Sequence, residues 1–515
     1  MITNAKLKGH GAAVLCLDLS SSSTSSSLPL SGSPLLLSGS EDGTARLWDL
    51  RDHRRRACLC IKVPGGGDVL SAVFAPPPPV AEALTSMPTP NETTAFGRDC
   101  TVYLGVENAV LEYDLRHAES PVLLSEPTKN WGEVLQNQDE VNQISLAYYN
   151  KHKSNKISGG GGSKKKKNQK KKGGSGGNKK NPQQYPSSGC LDTKDSLFLA
   201  ACDDAGKIRW AESSLSSNYS NNNTVPVAAC AKDSYESSSS STILHHDNHG
   251  VAVVPACAFR PIHKTGSGVG SAILELASGG TDCKIQLWDV LRPKKPISTF
   301  FINKNANEEE RSKPQVCNPP FIYSLAWSND GTSLAAGLGD GTIGIFEINN
   351  RKLVQSQLLV GNECTDGTMH YAHGSSVASV VYPSFSVPTN DRIMCSAGSD
   401  GSIVFWDSGK TNGELWDEDT ETSSCNNNKD GSEDAVEHLL PPKLLEELRR
   451  EGSGTYHGSA TTASHKPRIL FDISHDQKIN WITRAAPSNG VATECNDTIF
   501  VADTSPEITS YTIPL

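Results

Sequence analysis

The sequence predicts an all-β fold in which seven repeated four-stranded sheets close into a single ring, interrupted by long, largely disordered loop insertions. Three observations predict it. The stretch Ser38-Gly-Ser-Glu-Asp-Gly-Thr-Ala-Arg-Leu-Trp-Asp-Leu-Arg51 reads as a strand end, a tight turn at Asp42-Gly43 and a second strand closing on Trp48-Asp49. Gly accepts positive φ and Asp hydrogen-bonds its own backbone, so the pair suits that turn. The six-residue step from turn acid to closing aromatic then recurs along the chain. Finally, the last repeat has three strands, and Ile2–Lys8 belongs to no other repeat. An outer strand supplied by Ile2–Lys8 closes the ring and removes a long exposed edge.

Taken in order, the repeats fall at about 9–63, 68–125, 139–230, 249–302, 318–360, 372–410 and 473–514 plus 2–8, one unit over 1–515. Blade one holds His10 before the strand Val14-Leu-Cys-Leu-Asp-Leu19, then Ser38, Asp42 and Trp48. Blade two runs from Asp68-Val-Leu-Ser-Ala-Val-Phe74 to Tyr113-Asp-Leu-Arg116, with Glu107 for the turn Asp and Tyr113 for the Trp. Blade three starts at Val141, resumes at Leu197 and ends at Trp210. Blade four has His249, Ser278, Asp282 and Trp288, and blade five keeps Asp340-Gly341 with Phe346. Blade six has His373, Ser396, Asp400 and Trp406. Blade seven is Ile479-Asn-Trp-Ile482, Thr498–Asp503 and Ile508–Ile513.

The order Gly-His, apolar strand, Ser-x-x-x-Asp-Gly and Trp-Asp is similar to the WD-repeat signature of a β-propeller blade. In that family the His, a Ser or Thr, the turn Asp and the Trp form one hydrogen-bonded chain. The resemblance assigns these roles to His10, Ser38 (or Ser40, on the same face), Asp42 and Trp48, and to their counterparts in blades four and six. Such a buried polar set rigidifies when complete and is costly when half satisfied. Its role is structural.

Hydrophobic residues at 36% and aromatics at 6% are low for so long a chain, so much of the length is expected in solvated insertions. These are 20–33, 76–92, 150–190, 213–248 and 410–466, Ser-, Pro-, Gly- or Asn-rich or acidic. They bury too little to offset chain entropy. The one exception, Pro441–Gly452, reads as a short amphipathic helix between a Pro start and a Gly stop. No run approaches the ~18 apolar residues of a membrane span, and Met-Ile-Thr-Asn-Ala-Lys6 lacks the apolar core of a secretory signal. A soluble protein of the nucleus and/or cytoplasm is expected. The 14 Cys show no CxxC pairs or Cys/His spacing, so neither zinc nor a disulfide framework is expected.

Residues 151–182 hold 12 Lys and no acid, which leaves 36 basic against 57 acidic residues elsewhere, a balance of −21. A basic tether on an acidic body argues against a general nucleic-acid surface on the ring. The run Lys164, Lys165, Lys166, Lys167, Lys170, Lys171 and Lys172 reads as an import signal, a tether for RNA or phosphate, or a solvated spacer between Gly-rich flanks. No aromatic is interleaved within it, which weakens specific single-strand binding.

Trp48-Asp49-Leu50-Arg51 and Tyr113-Asp114-Leu115-Arg116 stand at the same point of consecutive blades, whereas Trp288-Asp289-Val-Leu-Arg292 has one residue too many. The pair resembles the Trp/Tyr-Asp-x-Arg motif of cullin-4 ligase substrate receptors. That resemblance implies adaptor binding by Trp48, Asp49, Arg51, Tyr113, Asp114 and Arg116, the partner being the damage-specific DNA-binding protein 1 subunit. A guanidinium suits the task because it offers a rigid five-donor fork to carbonyls and carboxylates. His245-His-Asp-Asn-His249 looks like a metal cluster, but His249 already serves the repeat, and ligands need fixed support. No metal or cofactor is expected, and nothing assembles a nucleophile, base and oxyanion hole. The expected protein is a non-enzymatic interaction scaffold, monomeric outside its complex. It has protein partners, no membrane, and nucleic acid only through the Lys-rich loop. The alternative is a nuclear or ribosome-assembly scaffold that uses that loop on RNA or acidic partners.

Overall fold

Leu35–Ser40 and Thr44–Asp49 form a hairpin around Glu41-Asp42-Gly43, with Leu36 opposite Trp48 and Ser38 opposite Arg46. Val14–Leu19 pairs on one side of it and Ala57–Lys62 on the other. This antiparallel four-strand unit recurs around the ring. The computed structural model describes residues 3–20, 35–50, 57–76, 101–115, 123–124, 126–151, 194–214, 242–245, 252–261, 274–302, 319–349, 351–363, 369–382, 393–408, 468–485 and 496–514. The Lys run 164–172, most of the five insertions and the 441–452 helix lie outside these residues.

The later blades follow the same order, inner strand to outer. Blade two is Val69–Phe74, Thr101–Val106, Ala109–Asp114 and Lys129–Asn130, and blade three is Val141–Lys151, Lys194–Asp203, Lys207–Ser214 and Thr242–His245. Blade four is Ala256–Phe259, Glu275–Gly279, Lys284–Asp289 and Ser298–Phe301, and blade five is Ile322–Trp327, Ser333–Leu338, Ile343–Asn349 and Lys352–Leu359. Blade six is Val377–Val381, Ile393–Gly398, Ser402–Asp407 and Arg468–Ser474. Blade seven joins the two ends of the chain: Ile479–Ala485, Asn496–Asp503 and Glu507–Pro514 are completed by Thr3–Lys8, which runs antiparallel to Glu507–Pro514. The chain is a seven-bladed β-propeller.

The core consists of seven apolar layers, one between each pair of neighbouring blades. Blade seven meets blade one through Leu7, Val14, Leu36, Trp48, Phe500 and Ile508. Close approach is needed for this packing. A Cβ on Gly337 would stand 2.8 Å from the carbonyl of Val377 in the next blade, so only Gly fits there. Around the centre, inner-strand side chains bond the backbone of the next inner strand. The Asp18 carboxylate accepts from Phe74 N at 2.8 Å, Ser71 Oγ from Ile144 N at 3.0 Å and Ser324 Oγ from Val380 N at 3.1 Å. Asn480 Nδ2 donates to Val14 O at 2.9 Å across the closing seam.

The outer strands depart from the sequence reading. The stretch 213–248 contains Thr242–His245, the outer strand of blade three. Blade six takes its outer strand, Arg468–Ser474, from beyond the insertion 410–466. Blade two's outer strand lies past residue 125, while Leu123–Leu124 adds in parallel to the outer edge of blade one. An outer strand pairs on one side only and carries little apolar alternation, so periodicity alone does not reveal it.

Blades four and five share a buried ionic clamp. Glu275, only 4% exposed, accepts from Arg260 Nη1 at 2.5 Å and Arg351 Nε at 2.9 Å. Arg260 also donates to the carbonyls of Gly331 and Ile348, and Arg351 Nη2 to Asp289 Oδ2 at 3.0 Å. Glu275→Ala takes one acceptor from each of two guanidinium groups, whose side chains are 20% and 32% exposed. Breaking a fully buried pair costs about 3–5 kcal/mol, and this partial exposure reduces the expected loss to about 2–3 kcal/mol. Urea denaturation checks it: a midpoint equal to wild type would show that the clamp contributes nothing.

Candidate interaction face

Blade one shows how the repeat residues are used. Trp48 Nε1 donates to Ser38 Oγ at 2.9 Å, Ser38 Oγ lies 2.8 Å from His10 Nε2, and His10 Nδ1 is 3.1 Å from Asp42 Oδ2. A neutral imidazole with its proton on Nδ1 satisfies every member in one direction, from Trp through Ser and His to Asp. Burial pushes the His10 imidazole down, against the pull of Asp42, which keeps it neutral. Burial alone would raise the Asp42 carboxyl, but bonds from His10, Thr44 and Gly11 N–H hold it well below the usual carboxylate range. Of the two candidate serines, Ser38 makes the chain, while Ser40 Oγ donates to Ala12 O and accepts from Asp42 N.

Blade six adds a relay. Trp406 Nε1 donates to Ser396 Oγ at 2.8 Å, and His373 Nε2 lies 2.7 Å from that hydroxyl. His373 Nδ1 stands 3.8 Å from Asp400 Oδ1, beyond hydrogen-bond reach, and Ser402 Oγ bridges them at 2.6 Å to each. Asp400 also accepts from Gly374 N and Ser402 N. In blade four Trp288 Nε1 donates to Ser278 Oγ at 3.0 Å and Asp282 accepts from Lys284 N at 3.1 Å, while His249 lies outside the described residues.

Blade two is a correction. Glu107, at φ 49°, is the first residue of a two-residue turn between Val106 and Ala109, so it occupies no Asp position. The buried Tyr113 Oη has no partner among the described residues.

A further set was missed. In blade seven His475 Nε2 meets Asp503 Oδ2 at 2.7 Å and Nδ1 meets Tyr511 Oη at 2.8 Å, all three residues buried. The signal was present: His475 stands four residues before Ile479, as His10 stands before Val14 and His373 before Val377. Tyr in place of Trp, and an acid two places early on the strand, hid it.

Asp400→Ala removes the acceptor that holds Ser402 and Gly374 N, and the expected loss is about 1–3 kcal/mol. Burial would raise the Asp400 carboxyl, but the nearby His373 and bonds from Ser402 and Gly374 N–H hold it below its ordinary value. A carboxyl depressed by folding contributes fully above its unfolded pKa of about 4, and this contribution is lost as the pH falls below that value. The gap in melting temperature between wild type and Asp400→Ala should therefore shrink from pH 7 to pH 3. A gap independent of pH would refute the ionised role. Glu107→Ala, in the turn without such a chain, should melt with wild type.

Trp48, Asp49, Tyr113 and Asp114 stand where third strands end. Asp49 and Asp114 end the third strands of consecutive blades, preceded by Trp48 and Tyr113, each 1% exposed. Arg51 and Arg116 lie outside the described residues. The equivalent acid of blade four, Asp289, is held by Arg351, and its turn places Arg292 N on Asp289 O at 2.8 Å. No group of three or more His, Cys, Asp and Glu among the described residues could hold a metal ion, and His246–His249 lie outside them.

The ring has seven blades, of which one and six carry the full chain from Trp to Asp, blade six through Ser402, and the family described as "WD domain, G-beta repeat" matches residues 2–49, 315–347 and 364–407. The chain is similar to the WD repeat-containing protein 53 homolog of Dictyostelium discoideum, 24% identical over 416 residues, 79% of this chain and 78% of that one. Over shorter stretches it is similar to the WD repeat-containing protein VIP3 of Arabidopsis thaliana, 32% identical over 77 residues, 15% of this chain and 23% of that one. It is also similar to the small ribosomal subunit protein RACK1 of Dictyostelium discoideum, 33% identical over 76 residues, 14% and 23% of the two chains. WD-repeat propellers are generally non-enzymatic and typically bind protein partners. No helix of the described residues is long and apolar enough to cross a membrane.

Proposed function

We propose that this propeller is a substrate receptor of a cullin-4 E3 ubiquitin ligase, working in the nucleus and/or cytoplasm. The observation that carries the reading is the pair Trp48-Asp49-Leu-Arg51 and Tyr113-Asp114-Leu-Arg116 at equivalent strand ends of neighbouring blades. Trp48 and Tyr113 are locked in the core, so each Asp is presented at a fixed place on one rim and the Arg two residues on starts from there. Two guanidinium groups on one rim can engage a single adaptor surface together. The propeller holds the adaptor by this rim and a target by another surface, and the transfer chemistry belongs to other subunits.

The test is capture of the damage-specific DNA-binding adaptor by wild type against the Arg51→Ala/Arg116→Ala variant. Full capture by a folded double variant would end this reading. It would favour instead a nuclear or ribosome-assembly scaffold that binds RNA or acidic partners through Lys164–Lys167 and Lys170–Lys172. That reading draws on the Lys run itself and on the local similarity to a small ribosomal subunit protein.

A further inference from the structure

All six large hydrophobic side chains that stand exposed among the described residues belong to blades four and five: Leu291, Phe301, Tyr323, Leu353, Val354 and Leu358. Three of them share one strand, the outer strand Lys352–Leu359 of blade five, whose first five residues are all exposed. Val354 reaches 65%. The strand pairs with Ile343–Asn349, and no strand among the described residues follows it. Elsewhere Leu123–Leu124 lies along blade one, and the outer strands of blades two, three and four have two, four and four residues. Those of blades six and seven, Arg468–Ser474 and Thr3–Lys8, are as open and have seven and six residues, but among the described residues neither exposes a large apolar side chain. An eight-residue apolar edge free of Pro is a template for another strand.

The edge has a seam beside it and a charged corner at one end. Leu353, Ser356 and Leu358 lie opposite Ile348, Phe346 and Gly344, and Phe346 stacks on Phe300 of blade four at 6.0 Å. The bulge in this pairing leaves Val354 without an opposite residue. At the Lys352 end, the loop Leu291-Arg-Pro-Lys-Lys-Pro296 exposes Lys294 and Lys295 between two prolines that stiffen it. Asp289 joins this loop to blade five, since one oxygen accepts from Leu291 N at 3.2 Å and the other from Arg351 Nη2 at 3.0 Å. Lys352 follows Arg351 and is exposed. The buried acids of this corner, Glu275 and Asp289, already hold Arg260 and Arg351, and Glu347 is half-buried on the adjoining strand. A body that is otherwise acidic therefore carries here an apolar strip fringed by three exposed lysines.

The geometry points to this corner as the docking edge for an acidic peptide segment of a partner protein. The segment adds as a fifth strand along Lys352–Leu359, lays apolar side chains over Leu353, Val354 and Leu358, and sets carboxylates against Lys294, Lys295 and Lys352. Main-chain bonds along the free edge supply affinity, and the apolar and charged contacts select the partner. Leu123–Leu124 on blade one shows that the outer edge of a blade in this chain accepts an added strand. A second copy fits less well, because antiparallel self-pairing of the edge brings no carboxylate to the lysines. This surface is separate from the rim of blades one and two and stands whether or not the adaptor binds there.

A phage-displayed library of random peptides, selected on the immobilised full-length protein, tests the proposal. Enriched peptides should carry Asp or Glu beside alternating apolar residues. Val354→Lys, and separately Lys294→Glu with Lys295→Glu, should each weaken their binding about tenfold or more in fluorescence anisotropy. Melting temperature and adaptor capture should stay at wild-type values in both variants, since the altered side chains are exposed. Enriched peptides without the acidic and apolar pattern, or peptides indifferent to both variants, would overturn the proposal. So would a wild-type dimer that Val354→Lys converts to monomer, which would give the edge to a second copy.

Discussion

Removal of residues 1–8 is expected to leave a protein that aggregates and melts far below wild type. Thr3–Lys8 is the outer strand of blade seven, in register with Glu507–Thr512 along its whole length. Its loss uncovers the edge of Glu507–Pro514 and takes Leu7 from the layer that joins the first and last blades. Burial of one Leu side chain is worth about 1.5–3 kcal/mol, and each lost backbone bond adds about 0.5–1.5 kcal/mol. Together these are a large part of the roughly 5–15 kcal/mol that holds a folded domain together. The ion pairs of Lys6 and Lys8 with Glu507 are exposed and contribute little by comparison, so Lys6→Glu with Lys8→Glu should stay close to wild type. Thermal denaturation with size-exclusion chromatography decides it. A monomeric truncated chain that melts with wild type would mean that the ring does not depend on this strand.

Loss of adaptor capture in the Arg51→Ala/Arg116→Ala variant is the second large effect expected. Each Arg that acts as an interface hot spot is worth roughly 2 kcal/mol or more. That corresponds to more than about tenfold in affinity for each single variant, and the two together bring capture below detection. The core anchors Trp48 and Tyr113 are untouched, so the melting temperature of the double variant should match wild type. Arg292→Ala is the internal control, because its turn on Asp289 carries an extra residue and takes it out of the motif's register. Equal loss in the Arg292 variant would show general charge rather than the motif at work.

The legible parts of this molecule were the parts built from short-range chemistry. Asp400-Gly401 declares its turn because Gly401 sits at φ 81°, which other residues rarely adopt. Ser38, Trp48 and their counterparts are spaced by the hairpin itself, so the second and third strands of blades one, four and six could be read directly. Spacing also misled. Glu107 stands six residues before Tyr113 yet belongs to a shorter turn, and His475 passed unnoticed because its partners are Tyr511 and an acid displaced along the strand.

By itself the sequence determined the all-β class, the number of blades and the polar chains of blades one and six, because each depends on side chains within one hairpin and the residues just before it. Only the tertiary structure decided where the outer strands lie, how blade six recovers its fourth strand from beyond residue 467, and that Ser402 relays His373 to Asp400. It also decided that Arg260 and Arg351 converge on Glu275 from different blades, and that the outer strand of blade five exposes Leu353, Val354 and Leu358. These depend on which blade packs beside which, and on side chains far apart in the chain that meet only once the ring has closed.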